Sequence, residues 1–156
     1  MINQNQIRKL VIVPALDAIG MGGEDAVELV FNTGLVESHY KYISQVGGPA
    51  LSFWQVEPST AYDHYENYLG YRAELSQRIE NATGCNESDI EWNLTTNLAF
   101  DCIMARIKYR RSPLPLPKFD DIEGQAFIWK KVYNTPEGKG TEQKFIQMVN
   151  DFNFMG

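Results

Sequence analysis

The chain of 156 residues is poor in cysteine, has no long apolar run and carries no surplus of positive charge. Each absence removes a class of protein. Its two cysteines, Cys85 and Cys102, are too few for a disulfide framework. They read as reduced, mostly buried thiols, although sequence does not tell whether they pair. No segment approaches the length of a membrane span. The apolar stretch from Leu10 to Ala15 is short and interrupted by Pro14 and Asp17, so a signal peptide is not expected. The net charge is -6 and no basic patch that would track phosphates is visible, so nucleic acid is not an expected partner. Lys108, Arg110 and Arg111 form the densest cationic run, and they close a predicted helix, where positive charge suits the macrodipole. His39 and His64 stand far apart without a cluster of cysteines or acids, so neither a metal nor a cofactor is expected. The run Gly138-Lys-Gly-Thr141 has no Ser or Thr directly after its lysine and no strand before it, which rules out a phosphate loop.

What is present is helical periodicity. A first helix is predicted from Gln4 to Ala18, followed by a break at Gly20, Gly22 and Gly23. A second begins at Glu24 and Asp25, acids suited to a first turn, and runs toward Glu37. Between Tyr42 and Pro58 the pattern is irregular, with room for one short β-hairpin before Val56. Helix resumes near Ser59 and continues, with a break at Gly70, to Ala82. Asn97 to Tyr109 is apolar nearly all round and should be central and buried. Pro113, Pro115 and Pro117 stiffen the next connector. Asp120 and Asp121 open a helix ending near Tyr133, and Thr141 caps the last one. The expectation is an all-α fold, residues 1–156 as one domain, with a central buried helix.

Ala26, Val30 and Thr33 share one helical face, and the next position on that face is Glu37. A carboxyl on an apolar side near a helix C-terminus is partly desolvated and feels the negative end of the dipole. Both effects favour the protonated form, as a general acid requires. On periodicity alone, an exposed glutamate in a fraying last turn is the better-favoured reading.

The residues after Glu37 change that balance. Glu37-Ser38, then Ala50, Gln55, Pro58, Thr60 and Ala61, resemble the signature of lytic transglycosylases, relatives of goose-type lysozyme. There a Glu-Ser pair precedes Gly-Ala, then Gly-Leu-Met-Gln, then Pro-x-Thr-Ala. Here the run is Gly47-Gly-Pro-Ala-Leu-Ser-Phe-Trp-Gln-Val-Glu-Pro-Ser-Thr-Ala61, with the Glu37-to-Gln55 separation unchanged. Asn97-Leu98 resembles the Asn-Ile that opens the corresponding family helix. Tyr133-Asn134 resembles the family's Tyr-Asn-Ala-Gly-Pro. The wording of these segments is similar to a variant found in lysozyme-like proteins of tailed bacteriophages.

The resemblance implies a lysozyme-like helical domain with a substrate cleft that cuts the glycan strands of peptidoglycan. It implies Glu37 as the one catalytic acid, with Tyr133 beside its carboxyl and helping to hold it. Gln55, Asn97 and Asn134 would offer hydrogen bonds to the sugars. Trp54 and Phe53 could stack on sugar faces, with core packing an equal claim on one of them, and Ser52 would shape the cleft floor. It implies a protein made in the host cytoplasm, carried in a phage virion alongside other virion proteins, and acting at the host wall. Pro49, Ser52, Thr135 and Pro136 depart from the family pattern at cleft-shaping positions. Glu57, Asp63 and Asp101 are candidate second carboxylates for a hydrolase, but Glu57 reads as an exposed loop acid and Asp101 as a salt-bridge partner of Arg106. A second reading stays open: a phage structural or ejection component that keeps the fold without activity.

Overall fold

The computed structural model describes Met1–Met155. Its regular structure is almost wholly helical, and each helix boundary has a local cause. Helix α1 (4–18) starts where the Asn3 side chain accepts from the Asn5 and Gln6 amides. Its middle, Ile7–Ile12, widens to π-type turns just before Pro14. A proline has no N–H for the carbonyl four residues back and crowds it, so the wider turn relieves the clash. Helix α2 (Glu24–Ser38) has Glu24 and Asp25 in its first turn and ends at His39 in a left-handed conformation. Helix α3 (Pro58–Asn67) begins with its proline, which needs no intrahelical partner there. After a 3-10 turn, Leu69–Tyr71, comes α4 (Ala73–Thr83), stopped by left-handed Gly84.

Helix α5 (Ile90–Thr96) was not expected from the sequence. It buries Ile90, Asn93 and Leu94, a stripe too short to register as a period. Helix α6 (Leu98–Arg110) follows directly, with residues 100–107 and Tyr109 all buried. It packs against α1 to α5 and against α7 (122–134). Helix α8 (Glu142–Met155), capped by the Thr141 hydroxyl, lies on α2 and α7. The central buried helix is therefore α6. No described helix is long and apolar enough to cross a membrane.

Two expectations fail here. The hairpin is reduced to isolated bridges, Ser44 with Leu51 and Leu51 with Val56. Ser52 and Gln55, at φ 71° and 51°, curl the chain too tightly for strands to extend. Asp101 does not pair with Arg106. Its Oδ1 is buried without a partner, while Arg106 Nε donates to the Met21 carbonyl at 3.1 Å. The two sit five positions apart on α6, about 140° around the helix, so they face different neighbours. Cys85 and Cys102 are both buried free thiols.

Candidate active site

Helix α2 ends at the mouth of the main cleft, and the turn that follows is held by its own side chains. Ser38 Oγ donates to the Gly34 carbonyl at 3.3 Å and accepts from the Tyr40 amide at 3.0 Å. Tyr40 folds back across α2 and donates to the Phe31 carbonyl at 2.7 Å. This close approach needs Gly34, because a Cβ there would stand 2.4 Å from the Tyr40 hydroxyl. The Glu-Ser pair thus has a local logic: the serine fixes the turn that leaves Glu37 half-buried at the cleft wall.

The cleft has a volume of about 1160 Å³. Glu37 lines it from α2, Tyr42 and Gln55 from the irregular segment, Lys108 from α6, and Tyr133 and Asn134 from the end of α7. The volume exceeds the ~300–1,000 Å³ typical of small-ligand sites.

Burial is the main influence on Glu37 and lifts its carboxyl above the ordinary glutamate value. Trp129 opposes this by donating Nε1–H to Glu37 Oε2 at 3.0 Å, and the Lys108 and Lys144 charges oppose it further. Lys108 is itself held in place: its Nζ donates to the Tyr133 carbonyl at 2.9 Å and lies 4.4 Å from that ring's centre. Burial pushes the Lys108 ammonium below its usual value, while Glu37 and Glu57 draw it back up.

Tyr133 lines the cleft, but its hydroxyl does not hold Glu37. It donates to the Trp54 carbonyl at 2.6 Å and so ties the turn bearing Gln55 to α7. Trp129, one helical turn earlier, holds the carboxyl instead. Gln55 faces the cleft from a left-handed backbone and donates Nε2–H to the Ser52 carbonyl at 2.9 Å. Asn134 also lines the cleft, with its Oδ1 accepting from Lys130 Nζ at 2.8 Å.

Three expected site residues lie outside the cleft. Trp54 is fully buried and donates Nε1–H to the Val30 carbonyl at 2.9 Å, so it is core and not a sugar platform. Its neighbour Phe53 is buried beside Tyr40 as well. Ser52 is 1% exposed and its Oγ accepts from the Trp54 amide. Its φ of 71° explains why glycine suits this position in the resembling family. Asn97 is the N-cap of α6, accepting from the Phe100 amide at 2.9 Å and donating to the Thr83 carbonyl at 3.0 Å. Both ends of its amide are occupied by the backbone.

Sequence reasoning overlooked Trp129, Lys108 and Tyr42. Trp129 carried a signal, since it lies on the inward stripe of α7 and an inward indole N–H needs an acceptor. Lys108 was hidden in the cationic run, whose members part company in space: Arg111 pairs with Asp63 at 2.7 Å and Arg110 points elsewhere. Tyr42 lines the cleft while half exposed, which leaves a ring face open to ligand. Thr135, beside Asn134, holds φ 73° and ψ 154°, a region that strains a β-branched residue.

His64 is buried in the cleft wall between the Met104 carbonyl, 3.2 Å from Nε2, and Arg111 Nη1, 3.0 Å from Nδ1. The guanidinium can only donate, so Nδ1 accepts and Nε2 carries the proton. Burial first, and Arg111 second, lower this histidine to about 4. Among the described residues no group of three His, Cys, Asp or Glu side chains could hold a metal ion. Compared with known proteins, the chain matches no family model, no curated protein and no solved structure.

Proposed function

We propose that this chain is a peptidoglycan-cutting glycosidase of the lytic transglycosylase type, with Glu37 as its one acid and base. One observation carries the reading: a carboxyl lifted by burial, oriented by an indole N–H, on the wall of a cleft of about 1160 Å³. A carboxyl that holds its proton to a higher pH than an ordinary glutamate can give it to a leaving oxygen. Glu37 protonates the glycosidic oxygen as the bond to the anomeric carbon breaks, with the neighbouring acetamido group assisting. The 6-hydroxyl oxygen then bonds to that carbon, its proton returns to Glu37, and a 1,6-anhydro ring closes. Gln55 and Asn134 offer amides to the sugar, and Tyr42 takes the stacking role first expected of Trp54. The phage setting, with transport to the wall by other virion proteins, rests on the sequence resemblance and on the acidic charge. A chain at -6 is repelled by an anionic wall unless something else delivers it.

Glu57 and Asp63 both line the cleft and are exposed, but Asp63 is tied to Arg111 at 2.7 Å, which leaves Glu57 as the carboxylate that could direct a water in a hydrolase. Asp101 is excluded from that role because it lies in the core. The acidic charge also favours the second reading, a virion component without activity. Clearing of purified walls, followed by turbidity, separates the two. Wild type should clear them, and Glu37→Gln should lose about a hundredfold or more. Absence of clearing by wild type would favour the inactive component. Mass spectrometry of the fragments then reads the chemistry: anhydro ends for a transglycosylase, reducing ends for a hydrolase.

A further inference from the structure

A second concavity, of about 530 Å³, shares no lining residue with the cleft. It lies where the turn after α1, the start of α4 and the end of α6 meet. Arg72, Arg78 and Arg110 line it, with Glu74 as the one acid among its lining residues. Such a concentration of guanidinium groups is unexpected in a chain of net charge -6. Among the described residues Arg72, Arg106 and Arg110 have no carboxylate partner, and Arg78 pairs only with exposed Glu74, at 2.8 Å.

Two of the three lining arginines are nevertheless held. Arg72 lies over the Tyr68 ring at 3.7 Å and donates Nη1–H to the Tyr68 carbonyl at 3.0 Å. Arg78 Nη1 packs against Gly20, 3.0 Å from where a Cβ would stand. Behind them Arg106 is buried, with Nε on the Met21 carbonyl, and both burial and Arg110 push its guanidinium below the ordinary value. A guanidinium carries five N–H donors, so the single bonds made by Arg72 and Arg78 leave further donors free on each. Three guanidiniums against one carboxylate leave the hollow with a positive excess, which an entering anion offsets.

We infer that this concavity binds a phosphate group. A carboxylate is satisfied by one fork, whereas three arginines lining one hollow supply donors enough for the several oxygens of a tetrahedral phosphate. The bearer of that phosphate is either a small soluble compound or a lipid headgroup.

The test is a titration of inorganic phosphate into the full chain, read at the arginine Nε–H NMR signals, against chloride at equal ionic strength. Saturable shifts at Arg72, Arg78 and Arg110 are expected. Arg72→Gln and Arg110→Gln should each weaken binding about tenfold, and Arg110→Lys should weaken it several-fold because charge stays but the fork is lost. All are exposed, and an unchanged melting temperature shows that the fold is intact; should one variant unfold, Arg110→Lys still reads the fork. Glu37→Gln should bind phosphate like wild type, which separates this site from the glycosidase reading. Flotation with phosphatidylglycerol vesicles, against phosphatidylcholine, identifies the bearer. Flotation lost in Arg110→Gln means a headgroup, and phosphate shifts without flotation mean a soluble compound. Phosphate shifts no larger than those from chloride, or unaltered in the variants, overturn the inference, as does flotation without phosphate shifts.

Discussion

Glu37 and Asp101 are both carboxyls on apolar helix faces, both lifted by burial, and they have opposite surroundings. Glu37 opens on a cleft, accepts from Trp129 and feels Lys108 and Lys144. Asp101, in the first turn of α6, is 1% exposed, has an unpartnered Oδ1 and is pushed up to about 9. The helix N-terminus beside it favours the charged form, but by less than desolvation opposes it. Burial alone therefore does not distinguish the two. Access to the cleft and a donor that fixes the carboxyl are what the proposed acid has and Asp101 lacks.

The sharpest way to break this comparison is to neutralise each acid in turn. Glu37→Gln should cost about 10² to 10⁴ in wall clearing, without loss of melting temperature. Asp101→Asn should leave clearing unchanged and alter stability instead. Above the ordinary aspartate range the unfolded chain releases a proton that the folded chain keeps until about 9. Stability from this group is thus present at low pH and is lost as pH rises through that window. Between pH 5 and 8 wild type should lose about 4 kcal/mol more than Asp101→Asn in denaturant melts, one proton over three pH units. His64 acts in the opposite sense, losing stability as pH falls from 6.5 toward about 4, and cancels in the difference.

Removing the donor sharpens the contrast from the other side. Trp129→Phe takes away the bond that favours the charged carboxylate, so Glu37 should rise further. The alkaline limb of the pH–rate profile should move up by about one unit; an unmoved limb would mean that the indole does not hold the acid. Tyr133→Phe should destabilise by about 1 kcal/mol through the orphaned Trp54 carbonyl, with the limb unmoved. A shifted limb there would restore the tyrosine to the carboxyl. The smallest effect belongs to Asn97→Ala, about 1 kcal/mol of helix capping with no change in KM, measured by thermal melts and wall kinetics.

The helices were legible because periodicity and caps act within a few residues. The predicted bounds of α1, α2 and α6 lie within a residue or so of those observed. The short α5 was not legible, because seven residues hold barely two turns. In the cleft, Glu37, Gln55, Tyr133 and Asn134 come together, whereas Trp54, Ser52 and Asn97 turn into the core or onto the backbone. Each of those three had a polar group that could serve either a ligand or the protein. A one-dimensional pattern does not say which partner is nearer.

By itself, the sequence determined the all-helical class, the buried central helix and the apolar side on which Glu37 sits, since these follow from side-chain spacing along a single helix. Tertiary structure alone decided that Trp129, 92 residues away, holds the acid, that Asp101 is left unpartnered and that scattered arginines share one hollow. Those outcomes depend on how closely packed elements from distant parts of the chain meet, and on which donor then lies within about 3 Å of which acceptor.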